Sequence, residues 1–186
     1  QCANSQSIIE FGQFSLTLNT EGRVVFVCDA GSVVSSNAVS LRRWQRVEAQ
    51  ITKLGQISIS LGSLDGSDTF EPTLKQLNRE LDLSQNASVV IAGQLNGDAI
   101  INCFNGKIEQ PEIYAGSNSL ASWDFSRNMS SMTVPGIGCP NLKLINAPTR
   151  AVTGALWDAS EMNWQHKPEH YASIAFHEDD IYDFLS

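Results

Sequence analysis

Apolar and polar residues alternate along much of the first 125 positions, and the alternation is broken at short intervals by turn-forming residues. Phe14, Leu16 and Leu18 share one parity, with Ser15 and Thr17 between them. A period of two predicts a strand over Phe11 to Leu18, and the turn-like Asn19-Thr-Glu-Gly22 leads into a second over Arg23 to Cys28. Trp44, Val47, Ala49 and Ile51 lie close to the same period, Ile57, Ile59 and Leu61 repeat it, and Gly55 divides the two runs, so a second hairpin is expected. Further strands are expected over Ser88 to Ala92, over Phe104 to Tyr114 with Ile108 and Ile113 around Pro111, and over Ser119 to Phe125. Leu74, Leu77 and Leu81 stand apart. Their spacing of three and four after Pro72 predicts one short helix over Thr73 to Asp82.

Many short strands without alternating helices point to an all-β protein, an antiparallel two-sheet β-sandwich of the jelly-roll type. From Ala147 the texture changes. Pro148 to Gly154, Trp157, Trp164 and Pro168 are followed by an acidic run with little periodicity. The expected division is a sandwich over 1–146 and an extended C-terminal arm over 147–186, whose tryptophans pack on the sandwich or on a following domain.

A chain of 186 residues, 42% of them hydrophobic, buries roughly 70% of its unfolded surface and needs neither disulfide nor metal for stability. The net charge of −8 excludes nucleic acid and anionic membrane as natural partners, since both demand clustered cations. Arg42, Arg43 and Arg46 form the one basic group, and such triplets commonly lie on a solvated surface. Cys2, Cys28, Cys103 and Cys139 are far apart, with no CxxC pair, so spacing reveals no zinc or redox motif. Cys28 and Cys103 sit in apolar runs, which favours reduced thiols and a cytoplasmic setting. No apolar run approaches the roughly 20 residues that span a bilayer. The chain opens at Gln1 without Met and stops at Ser186 after an acidic stretch, which suggests a domain cut from a longer or processed protein. Asn86-Ala-Ser88 and Asn128-Met-Ser130 match the glycosylation sequon, a tripeptide that also arises by chance.

The order of several short motifs resembles laminin-G-like and concanavalin A-like, pentraxin-like sandwiches. Those motifs are Phe14-Ser-Leu-Thr-Leu18, Leu41-Arg-Arg-Trp44-Gln-Arg-Val47, the turn Phe104-Asn-Gly-Lys-Ile108, and Trp123-Asp-Phe125. The tail is more particular. Pro148-Thr-Arg-Ala-Val-Thr-Gly154, Trp164, and Pro168-Glu-His-Tyr171 through Asp183 look like the segment after the sandwich in the large subunit of N,N-dimethylformamidases. That resemblance implies a long chain whose sandwich precedes an amidohydrolase domain holding a mononuclear iron through tyrosine and carboxylate side chains. It maps none of the iron ligands onto these residues. The 69–83 insert departs from the family pattern.

Candidate chemistry is sparse. His177-Glu-Asp-Asp180, with Asp183 and His170 nearby, combines imidazole and carboxylate in a way that suits a divalent metal. Local geometry lets only His177 with Asp179, or Asp179 with Asp183, share a site, and a solvated acidic link is the stronger reading. Asp65-Gly-Ser-Asp68 and Asn96-Gly-Asp98 offer the oxygen ligands that calcium prefers, but both are also ordinary turns. No GxSxG is present, and His166, His170 and His177 all fall in the tail, so a catalytic triad is not expected. No Glu-x-Asp-x-x-Glu strand supplies the paired acids of laminarinase-like glycosidases, and Asp124 is expected to face outward. Trp44 and Trp123 are expected in the core, with Trp157 and Trp164 anchoring the arm.

The expectation is an accessory or interaction module of a larger amidohydrolase acting on N-substituted formamides. It has no catalytic residue and no cofactor of its own, and a neighbouring catalytic domain or subunit is its partner. The alternative is a free-standing lectin-like domain that binds carbohydrate, with calcium if the turn loops supply it.

Overall fold

The computed structural model describes residues 4–41, 43–64, 70–78, 88–125 and 132–145. Among them every regular element is a strand. The chain divides into two compact units, Gln1–Gly106 and Lys107–Ser186. The expected arm over 147–186 lies outside the described residues.

The first unit begins with β1 (Gln6–Phe11), β2 (Phe14–Leu18), β3 (Arg23–Cys28) and β4 (Gly31–Ala38), which form consecutive antiparallel pairs. With β8 (Val89–Ile91) they make a five-stranded sheet in the order β4-β3-β2-β1-β8. β5 (Gln45–Ile51), β6 (Gln56–Ser63) and β7 (Thr73–Gln76) make a three-stranded sheet in sequence order. β9 (Gln94–Asn96) and β10 (Ala99–Ile101) form a separate hairpin.

The two larger sheets bury their apolar faces against each other. Val24, Phe26 and Cys28 of β3 alternate with half-buried neighbours, as do Ile57, Ile59 and Leu61 of β6. These six, with Leu18, Val33 and Leu77, are one core in which Val24 and Ile57 are wholly buried. Register maintains the arrangement. Val47 lies opposite Leu61, Ala49 opposite Ile59 and Ile51 opposite Ile57, while Leu16 faces Phe26 and Leu18 faces Val24, so each inward row is continuous across strands. This is the two-layer antiparallel β-sandwich expected from the alternation.

Both hairpins are closed by the turns expected of them. Asn19 Oδ1 accepts hydrogen bonds from the N–H groups of Glu21 (3.0 Å) and Arg23 (2.9 Å). Gly22 then takes φ of 76°, a value that favours glycine. In the β5–β6 turn Gly55 has φ of 78° and donates to the Thr52 carbonyl at 3.0 Å.

The structure corrects the expected helix over Thr73 to Asp82. Thr73–Gln76 is strand β7, paired with β6 from Ile59↔Thr73 to Gln56↔Gln76. Leu74 is exposed and Leu77 is buried in the core, so the three-residue spacing does not mark a single face. Pairing to the edge of β6 overrides local preference, as tertiary context commonly does. Residues 79–82 lie outside the described part.

Two further strands, β1 and β4, carry no clean alternation because each contains a bulge. In β1 the register shifts between Ser7 and Ile9, opposite Thr17 and Leu16, so Ile8 is the extra residue of the bulge. In β4 the ladder breaks opposite Val24. There the buried Ser35 hydroxyl accepts from the Val24 N–H at 3.0 Å and donates to the Asn37 carbonyl at 2.6 Å. Arg23 Nη1 donates to the Ser36 carbonyl at 2.9 Å and lies beside Glu21, with Nε 3.5 Å from Oε2. Side chains thus replace the missing ladder bonds, as burial of backbone polar groups requires.

The second unit holds β11 (Glu112–Ala115), β12 (Asn118–Trp123) and β14 (Gly136–Ile137) in one sheet, and β13 (Thr133–Val134) pairs with β15 (Leu142–Lys143). Ala121, Trp123 and Val134 are its buried residues among those described. The Trp123 indole N–H donates to the Pro140 carbonyl at 3.2 Å, which satisfies the one polar group of a buried ring. A Cβ at Gly136 would stand 2.5 Å from the carbonyl oxygens of Cys139 and Pro140, so no larger residue fits beneath this turn.

Two substitutions measure this account. Ile59→Ala should lower unfolding stability by about 2 to 5 kcal/mol through lost burial and a residual cavity, whereas the exposed Leu74→Ala should change it by about 0.5 kcal/mol or less. Ser35→Ala should cost about 1 to 3 kcal/mol by orphaning the buried Val24 N–H. Chemical denaturation of each variant reads both effects, and equal losses at Ile59 and Leu74 would contradict the assignment of the core.

Candidate functional surfaces

Of the residues that sequence singles out for chemistry, His177, Asp179 and Asp183 lie outside the described residues, as do His166, His170, Trp157, Trp164 and the Asp65-Gly-Ser-Asp68 segment. Among the described residues no group of three or more His, Cys, Asp or Glu side chains is gathered as a metal site would require. One tyrosine–carboxylate pair is present. Tyr114 Oη donates to Glu112 Oε2 at 2.8 Å, on an exposed strand.

Asn96-Gly-Asp98 closes the β9–β10 hairpin. Asn96 lies opposite Ala99, leaving Gly97 and Asp98 as a two-residue loop, and Gly97 alone has positive φ, 58°. Glycine at the first loop position is the signature of a type II′ turn, whose twist matches that of the flanking strands. The Gly116-Ser117 loop between β11 and β12 repeats this chemistry, with Gly116 at φ of 61°.

The Phe104-Asn-Gly-Lys-Ile108 motif ties the end of the first unit to its core. Phe104 packs against the buried cluster, and its N–H donates to the Ala92 carbonyl at 3.1 Å. The Asn105 N–H donates to Gln6 Oε1 at 2.8 Å. The Phe104 ring lies over Gly106, where a Cβ would meet it at 2.6 Å. Ser7, only 2% exposed, sits beside this segment and donates its N–H to the Asn102 carbonyl at 2.7 Å. Ala92 and Asn102 adopt φ of 64° and 50° here, values uncommon for residues other than glycine.

Trp123 is buried, as the alternation implies, whereas Trp44, also expected in the core, is half-buried just before β5. Asp124 is half-buried just beyond β12. Cys28, Cys103 and Cys139 are free thiols, and Cys28 is buried. Among the described residues no helix is long and apolar enough to cross a membrane.

Two surfaces escaped the sequence reading. Tyr114, Leu120 and Ile137 are exposed apolar side chains on the β11-β12-β14 sheet. The outer edge of β5 is the second: among the described residues β5 pairs with β6 alone, so one side of this seven-residue strand has no described strand beside it. Both surfaces offer contacts to an incoming polypeptide, through apolar area in one case and through backbone donors and acceptors in the other.

Comparison with known proteins bears on whose surfaces these are. No family model matches the chain. It is similar to an N,N-dimethylformamidase beta subunit from Alcaligenes sp., 27% identical over 209 aligned residues that cover 86% of this chain and 27% of that relative. A protein of the same name from Paracoccus aminophilus is 31% identical over 101 residues, covering 41% of this chain and 13% of the relative. The chain thus spans about a quarter or less of the curated relatives it matches. No solved structure matches it.

Gly106→Ala should displace the Phe104 ring and cost about 1 to 3 kcal/mol, the usual penalty of forcing an atom into a packed site. Thermal unfolding checks it, and an unchanged melting temperature would show that the Phe104 ring moves freely.

Proposed function

We propose that these 186 residues are a non-catalytic accessory and interaction module of a larger N,N-dimethylformamidase-like amidohydrolase. The observation that carries the reading is the similarity over 86% of this chain to 27% of a protein named as a dimethylformamidase beta subunit. A segment that accounts for so small a share of a relative's length leaves most of that polypeptide to hold other functions. The open β5 edge and the apolar face of Tyr114, Leu120 and Ile137 suit a module that docks on other polypeptide.

In this reading the sandwich has laminin-G-like, concanavalin A-like connections and corresponds to the region before the catalytic domain of the large subunit. The iron is held outside this segment, and the parent enzyme works in a reducing, cytoplasmic setting that keeps Cys28, Cys103 and Cys139 as thiols. The partner is a neighbouring catalytic domain or subunit. The reaction assigned to the parent is hydrolysis of an N-substituted formamide to formate and an amine, as the relatives' name implies.

The 186-residue chain, purified alone, should release no formate from N,N-dimethylformamide and should contain no stoichiometric iron by elemental analysis, while the longer polypeptide carrying it should do both. Formate release by the 186 residues alone would reject the accessory role.

A further inference from the structure

The chain contains the dipeptide Asn-Gly twice, at Asn96-Gly97 and Asn105-Gly106. In this pair an asparagine side chain is especially open to attack by its own backbone, because glycine places no Cβ beside the attacking nitrogen. Attack brings the carboxamide carbon up to the next backbone nitrogen. That approach needs rotation about the asparagine ψ and a nitrogen whose N–H is not held elsewhere. The fold treats the two pairs differently.

Asn96-Gly97 stands at the tip of the β9–β10 hairpin, where Asn96, Gly97, Asp98 and Ala99 are all exposed. Among the described residues neither the Asn96 carboxamide nor the Gly97 N–H takes part in a hydrogen bond. A Cβ at Gly97 would meet nothing within 4 Å, so this residue can swing without displacing a neighbour. The rung that must open, Asn96↔Ala99, is the outermost of three in a ribbon that pairs with no further strand among the described residues. Two-stranded ribbons of this kind are marginal on their own. The base of the hairpin is held more firmly. Gly93 is buried under Ile100, whose Cγ2 lies 2.7 Å from where a Cβ would stand, and Asn102 Nδ2 donates to Gln94 Oε1 at 2.8 Å. Motion is thereby confined to the tip.

Asn105 and Gly106 are exposed as well, so exposure does not separate the two pairs. Anchoring does. The Asn105 N–H is held by Gln6 Oε1 at 2.8 Å, and the preceding Phe104 N–H by the Ala92 carbonyl at 3.1 Å. The Phe104 ring packs on the core and stands 2.6 Å from the Cβ position of Gly106. Rotation about the Asn105 ψ carries Gly106 against that ring, so cyclisation there requires Phe104 to move from the core.

We propose that Asn96 is a site of spontaneous covalent modification in the folded protein, converting to aspartate and isoaspartate, while Asn105 in the same dipeptide is spared. The Gly97 nitrogen forms a bond to Asn96 Cγ, and the carboxamide nitrogen leaves as ammonia, carrying away the proton that the backbone nitrogen gives up. Water then opens the resulting five-membered imide. Cleavage of the bond to the side-chain carbonyl yields aspartate, and cleavage of the bond to the main-chain carbonyl yields isoaspartate, with the chain now running through Cγ. Either product adds one negative charge beside Asp98. Isoaspartate also lengthens the main chain by a methylene next to a two-residue loop, so the Asn96↔Ala99 rung is lost. The tip of the hairpin thus changes charge and shape as the molecule ages.

Incubation of the full 186-residue chain in mildly alkaline buffer, with samples digested and read by mass spectrometry, tests this. In the folded chain Asn96 should undergo amide-to-acid exchange at least about tenfold faster than Asn105, since one site opens locally and the other needs a core side chain to move. In denaturing urea the two should react at similar rates. An isoaspartate-specific methyltransferase should label the peptide containing Asn96 in the aged protein and leave the corresponding peptide of Asn96→Gln unlabelled. Phe104→Ala should raise the Asn105 rate toward its value in urea and leave the Asn96 rate unchanged. Equal rates at the two sites of the folded chain, faster reaction at Asn105, or an intact Asn96 in the folded chain after both sites have reacted in urea would each overturn the proposal.

Discussion

Burial of β3 against β6 is the contact on which the first unit depends. Val24, Phe26 and Cys28 on one strand and Ile57, Ile59 and Leu61 on the other supply six of the nine buried core residues. Because side chains alternate along a strand, a slip of one residue in either would exchange this whole apolar set for its polar or half-buried neighbours. The registers of β2 on β3 and of β5 on β6 follow from that constraint. The glycine turns at Gly22 and Gly55 are the backbone conformations that let those registers close.

The irregular positions lie at the margins of this core. Ser35 and Arg23 supply hydrogen bonds where the β3–β4 ladder fails, and the Ser7–Ile9 bulge adjoins the Asn102–Phe104 segment. In both places polar groups take over from regular pairing at the rim of an apolar interior, where unpaired backbone would cost most. The Phe104-Asn-Gly-Lys-Ile108 motif belongs to the same class. Its phenylalanine secures the turn to the core and its glycine leaves room for the ring. A motif that resembles a family signature thus has a packing role here.

The described residues present surfaces and backbone edges in place of a gathered constellation of reactive groups. An open strand edge and an exposed apolar face are the chemistry of docking. That agrees with a chain similar to about a quarter of a dimethylformamidase beta subunit, and it directs attention to what the rest of such a polypeptide contributes.

By itself the sequence determined the all-β class, the two hairpins around Asn19–Gly22 and Gly55 with Ile57, Ile59 and Leu61 on one parity, and the core position of Trp123. All of these are written in local alternation and in residues that tolerate positive φ. Only the tertiary structure decided that Thr73–Gln76 is a strand, because its partner on β6 lies more than a dozen positions away and Leu74 and Leu77 imitate a helical face. Bulges hid β1 and β4, since an extra residue shifts the parity on which pattern reading relies. The open edge of β5 was equally illegible. Whether a strand has one neighbour or two depends on long-range pairing, and no short window of sequence contains that information.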